Sequence, residues 1–167
     1  MAKLFTLVIL IFWIWSPAQY ILAQKTPVII PKDSVYQANI RQSHLYGVYI
    51  PRNIEDAMVQ LDKLSTPEAC TKMSAADEKS IGKKLRFGIG RWMEYNWNLA
   101  EGSRLSHQLR QKGLTFTDDM VEYLIILYYR HCKNQPLDAD KLAISIAEKR
   151  NKWVKDQVNQ ITLDTIK

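Results

Sequence analysis

Apolar side chains recur at intervals of three and four residues through most of the chain, the signature of helices with one buried face. Ile54, Met58, Leu61 and Leu64 form the first such stripe. Asn53 stands where a helix cap is needed, and Glu55 and Asp56 occupy the first turn, where the helix dipole favours anions. Thr66 followed by Pro67 ends this helix and starts a short second one, since proline suits the first helical position. Ser74 with Asp77 three residues later reads as an approximate capping box. The stripe Ile81, Leu85, Ile89, Trp92, Asn96 then predicts one long helix, although Gly82, Gly88 and Gly90 each cost about 1 kcal/mol relative to alanine. Ser103 caps a further segment that Gly113 stops, and Thr117 caps the next, with Asp118 and Asp119 in its first turn. The run Leu-Ile-Ile-Leu-Tyr-Tyr that follows is apolar on every side, which places its helix in the middle of the domain. In the last segment, 135–167, Ala143, Ile146, Ala147, Trp153, Val154, Val158 and Ile161 share one face, and Lys149, Arg150, Lys152 and Lys155 surround it. This amphipathic helix packs on the bundle; docking on a membrane surface or a partner helix is the alternative. The expectation is all-α: a small bundle of about five helices around a central apolar helix.

The N-terminus follows another pattern. Met-Ala-Lys precedes the uncharged run Leu-Phe-Thr-Leu-Val-Ile-Leu-Ile-Phe-Trp-Ile-Trp, as in a secretory signal peptide. Residues 1–23 are assigned to it, with cleavage after Ala18 or Ala23. An uncleaved anchor is the competing reading, but Pro17 and Gln19 interrupt the apolar stretch. Residues 24–47, with two prolines and no sustained period, read as an extended linker. The folded domain is expected over 48–134, followed by the C-terminal helix. A chain of 167 residues, 47% hydrophobic, holds one domain with a real core.

Export changes what the charge means. The net charge is +6, and loss of Lys3 with the leader leaves 22 basic against 17 acidic residues, a net of +5. Outside the cytoplasm this excludes nucleic acid as the natural partner and favours a protein or an anionic envelope polymer; membrane contact is expected only through the signal segment if it stays uncleaved. An oxidising compartment permits Cys70 and Cys132 to pair, whereas Cys132, closing an apolar helix, also reads as a small buried thiol.

Candidate chemistry is sparse. Gly88 and Gly90 lack the third glycine, the preceding strand and the Lys-Ser/Thr ending of a phosphate loop. They read instead as room for a close neighbour, with the Trp97 ring the candidate. His44, His107 and His131 are far apart and there is no Cys-x-x-Cys, so no metal site and no cofactor is expected. No nucleophile motif occurs. Glu94, Glu101, Asp118 and Asp119 lie near segment ends that could converge, which keeps paired-carboxylate hydrolysis as the alternative. The densest cluster of recognition-type residues is Arg91, Trp92, Tyr95, Asn96, Trp97, Ser103 and Arg104, joined by Asp119 and Arg130. Arg91 and Arg104 are expected to pair with Asp118, Asp119 or Glu101, and Asn96 to bond backbone of the following loop.

Several of these residues carry a resemblance. Tyr49-Ile50-Pro51, then Gly88-x-Gly90-x-Trp92 with Asn96 and Trp97, Ser103-x-Leu105, and Asp118-Asp119-Met120 leading to Tyr129 and Arg130 resemble a bacterial, Bacteroidetes-type domain of unknown function about 85 residues long. The likeness covers about Val48 to Asn134 and implies no assigned activity. It departs at Ala100, where members of that family often carry another tryptophan. The expectation is therefore an exported binding or structural module, of an immunity or inhibitor type, with a small envelope hydrolase as the alternative.

Overall fold

A computed structural model describes residues 32–165, so the signal peptide, its cleavage site and the first part of the linker lie outside the described residues. The rest of the expected linker is not extended. Helix α1 (Lys32–Asn39) is followed by a hairpin of β1 (His44–Leu45) and β2 (Val48–Tyr49), antiparallel, with His44 opposite Tyr49. Its two turn residues, Tyr46 and Gly47, both take positive φ (51° and 81°), which lets the turn follow the natural twist of the strands. The Tyr36 hydroxyl lies 2.9 Å from Nδ1 of His107, tying α1 to the main body.

Helix α2 (Ile54–Leu64) begins as its sequence dictates: Asn53 Oδ1 accepts from the Asp56 backbone N–H at 2.9 Å. Ile54, Met58 and Leu61 are buried, whereas Leu64 is exposed. Thr66 caps α3 (Pro67–Ser74), with Pro67 in its first turn. Ser74 is not a cap. It is still helical and its hydroxyl donates to the Cys70 carbonyl; the next helix, α4 (Glu78–Leu85), starts a turn later from Asp77.

The long helix expected through residue 96 is broken. Beyond α4 the backbone widens into a π-type segment over Arg86–Gly90, where Gly88 leaves the helical region (φ −95°, ψ −107°), before α5 (Arg91–Asn96) resumes. Gly90 faces α7 rather than Trp97: a Cβ there would sit 2.8 Å from Val121 Cγ1. Helix α6 (Arg104–Gln111) opens with a reciprocal cap, Ser103 and Ser106 each accepting from the other's backbone N–H, and Gly113 (φ +90°) follows its end.

Helix α7 (Thr117–Cys132) is the hub, buried from Asp119 through Tyr129 except at Glu122, and packed against α2, α3, α4, the π segment and α5. Its cap falls on Phe116, not Thr117, so no side-chain hydroxyl closes this end. Helix α8 (Ala139–Thr165) lies on α7 through Ala143 and Ile146, while farther along Trp153 is 54% exposed. Cys70 and Cys132 form a disulfide, Cα to Cα 5.5 Å, that binds α3 to the end of α7. Together these elements make a predominantly α-helical fold around a central apolar helix, in more pieces than five because α1 forms within the expected linker and the long helix is broken. Among the described residues no helix is long and apolar enough to cross a membrane.

Candidate functional site

The aromatic and basic cluster picked out in the sequence divides between core and surface. Trp97 is buried (1% exposed), with Trp92 edge-on to it at 5.8 Å between ring centroids. Tyr95 points outward, 67% exposed, with the Arg91 guanidinium 5.3 Å from its ring centre. Asn96 bonds the Trp92 carbonyl of its own helix at 2.9 Å; the following loop is instead closed by Asn98, which donates to the Gly102 carbonyl at 2.9 Å. Ser103 is a buried cap.

The arginines do not pair as expected either. Arg104 reaches back across the fold, its Nε donating to the Ile50 carbonyl at 2.8 Å and its guanidinium lying over the Tyr49 ring. It thereby holds the Tyr49-Ile50-Pro51 segment onto α6, a structural duty consistent with the buried Ile50 and Pro51. Arg130 donates to Glu78 at 2.6 Å and to the Leu137 carbonyl at 2.7 Å, joining α7, α4 and the approach to α8.

Three of the four candidate carboxylates meet an arginine, two of them the same one. Glu94 and Asp118 both approach Arg86, Glu94 at 3.4 Å. Asp119, 5% exposed, accepts from Arg150 on α8 at 2.6 and 2.9 Å. That contact holds the Arg150 guanidinium in its charged form, above its ordinary pKa, and the same group also stacks near Phe116 and Trp153. Glu101 is exposed on the loop before α6. A glycosidase pair needs one protonated acid and one free carboxylate facing a common cleft; Glu94 and Asp118 instead face one guanidinium. The histidines also stand apart: His131 is 2.8 Å from Asp62, His107 meets Tyr36, and His44 meets Ser43. Among the described residues no group of His, Cys, Asp and Glu is placed to hold a metal.

The concave feature the pattern missed lies between α3 and α4. A groove of about 350 Å³ runs there, walled by Met73 of α3 and by Ile81 and Leu85 of α4, with Tyr128 of α7 in its lining. Burial pushes the Tyr128 phenol above its ordinary pKa, offset in part by a hydrogen bond with Ser65. Among the described residues, the charged ones that line it are Lys72 and Lys84. Ile89 also lines a second hollow, about 410 Å³, with Leu64, Gly88 and Trp92. The break at Gly88 opens this second hollow: a side chain added there would meet nothing within 4 Å. Gly88 marks this hollow in the sequence, but Leu64 stands too far from it along the chain for any local period to join them.

Comparison with known proteins finds a likeness for part of the chain. A family model described as a domain of unknown function (DUF6794) matches residues 50–132. That span runs from the Ile50 clamped by Arg104 to the disulfide-bonded Cys132, and agrees with a domain-of-unknown-function family. No curated protein and no solved structure matches the chain.

Proposed function

We propose that this protein is an exported partner-binding module, of the immunity or inhibitor kind, whose contact surface is the groove between α3 and α4. The observation that carries the reading is an apolar concavity with only lysines for charge, on a body whose other recognition-type residues are mostly spent on internal contacts. The disulfide supports a place outside the reducing cytoplasm, as does the leader-like N-terminus. A bacterial, Bacteroidetes-type origin, read from the Tyr-Ile-Pro, Gly-x-Gly-x-Trp and Asp-Asp-Met motifs, fits the same placement. Neutralisation of Glu94, Asp118 and Asp119 by arginine weighs against the paired-carboxylate hydrolase.

The test is site-directed photo-crosslinking in the envelope of the producing organism. A photoreactive residue at Ala69, exposed on the groove, should give a discrete adduct; the same residue at Glu148 on α8 should not. Identical adducts from both positions, or none at 69, would remove the groove from the function. Release of dye from labelled cell-wall polysaccharide, lost on Glu94→Gln, would replace this reading with the hydrolase.

A further inference from the structure

The shape and charge of the groove narrow what enters it. A concave volume of about 350 Å³ suits inserted side chains rather than a flat lipid surface; Met73, Ile81, Leu85 and Ile89 give it an aliphatic or thioether lining, and the hydroxyls beside them, of Tyr128 and Ser65, bond each other. The two lysines stand on opposite walls, Lys72 on α3 and Lys84 on α4. Neither is ion-paired among the described residues, although eight ion pairs occur there, and Glu68, the acid in the first turn of α3, does not line the groove. An occupant therefore meets an apolar floor between two uncompensated positive charges.

We infer that the partner is a protein presenting an acidic amphipathic segment, its apolar side chains seated between α3 and α4 and its carboxylates reaching Lys72 and Lys84. This rests on the binding-module reading above and adds the chemistry of the partner. Rim charges of this sort set partner choice and encounter rate more than total affinity. An apolar segment bearing lysines at the same positions is rejected by like charge on both walls.

The test uses the folded, disulfide-bonded protein to select binders from a random library of displayed 16-residue peptides. Two variants accompany it: Ala69→Trp, which fills the groove from an exposed helix position, and Lys72→Glu/Lys84→Glu, which reverses the rim. Circular dichroism and melting establish that both are folded. Selected peptides should combine spaced aliphatic residues with Asp or Glu, lose binding to Ala69→Trp, and weaken at least tenfold on the reversed rim, which in turn prefers Lys-bearing analogues. Groove-dependent binders that are neutral or basic would overturn the acidic-partner inference and leave the groove reading standing. Binders indifferent to Ala69→Trp, or none at all, would overturn both. Sedimentation with phosphatidylglycerol vesicles that depends on the lysines but not on Ala69 would assign the surface to a membrane and likewise overturn it.

Discussion

Single residues report the fold most directly where backbone and neighbour act together. Gly47 and Gly102 both take positive φ (81° and 114°), but only Gly102 is crowded: a Cβ there would come within 2.3 Å of the Tyr36 ring. Gly47→Ala should cost about 1–2 kcal/mol, the backbone penalty alone. Gly102→Ala should cost about 1–3 kcal/mol more, the added penalty of overpacking, and should loosen α1; urea unfolding of the pair measures the difference. Asp56 gives a pH signature. Burial pulls its carboxyl up, but hydrogen bonds from the Arg52 backbone and from Tyr49 and Gln60, with the charge of Arg52, together hold it below 3.8. The folded protein therefore binds this proton less readily than the unfolded chain. The stabilisation is complete above about pH 5 and fades as pH falls through the depressed folded value. Asp56→Asn should thus be less stable than wild type at neutral pH, with the gap closing as pH falls below 3.8 and through the depressed folded value, in acid titrations followed by melting; a gap constant with pH would remove Asp56 as its source. At this scale the sequence was readable wherever the chemistry was local. Asn53, Thr66 and Ser103 cap because each stands beside the N–H it serves. Ser74 misleads because its hydroxyl has a competing acceptor one turn back, at Cys70.

Among elements, periodicity located the helices from α2 onward, but not α1 and not the interruptions or seams. The stripe from Ile81 to Asn96 is continuous in sequence because Ile81, Leu85, Ile89 and Trp92 all do turn inward to some degree; the π-type widening lets them do so across a break. What the period could not carry was the demand of α7, whose Val121 and Ile125 come so close to Gly90 that only glycine fits. The seam between α7 and α8 is likewise made by a pair distant in sequence. Arg150 leaves the apolar face of α8 to meet Asp119, which the first-turn pattern had already explained as a dipole partner. A double-mutant cycle should resolve the two roles. Asp119→Ala and Arg150→Ala should each cost about 1–3 kcal/mol, and together less than their sum by about 1 kcal/mol or more. Additive losses would mean that Asp119 acts on the helix end alone. Glu122 and Lys149, 3.6 Å apart on a more exposed part of the same seam, should show little coupling in the same experiment.

At the scale of the molecule, the disulfide is the long-range tie that neither spacing nor burial could decide from sequence, because pairing depends on two Cα positions 62 residues apart. Its loop encloses α3 through α7, and thus both walls of the groove and the central helix. Cross-linking a loop of that length restricts the unfolded chain by about 4 kcal/mol, a large part of the 5–15 kcal/mol by which domains are stable. Cys70→Ser/Cys132→Ser should therefore lower Tm by on the order of 10–20 °C, and reduction of the wild type should match it. The loss has a direction as well as a size. Ala69, Lys72 and Met73 sit on the helix that carries Cys70, so freeing α3 from Cys132 should widen the groove before the remainder unfolds. Amide exchange should rise first across 67–74 while the core of α7, from Met120 to Leu127, stays protected. Uniform exchange through both helices would mean that the bridge acts only on the unfolded chain and that the wall at α3 is held by packing. The two outcomes also separate at the binding site: a loosened wall lowers affinity for groove-directed peptides at temperatures where the reduced protein is still folded, whereas an effect on the unfolded chain alone leaves that affinity unchanged.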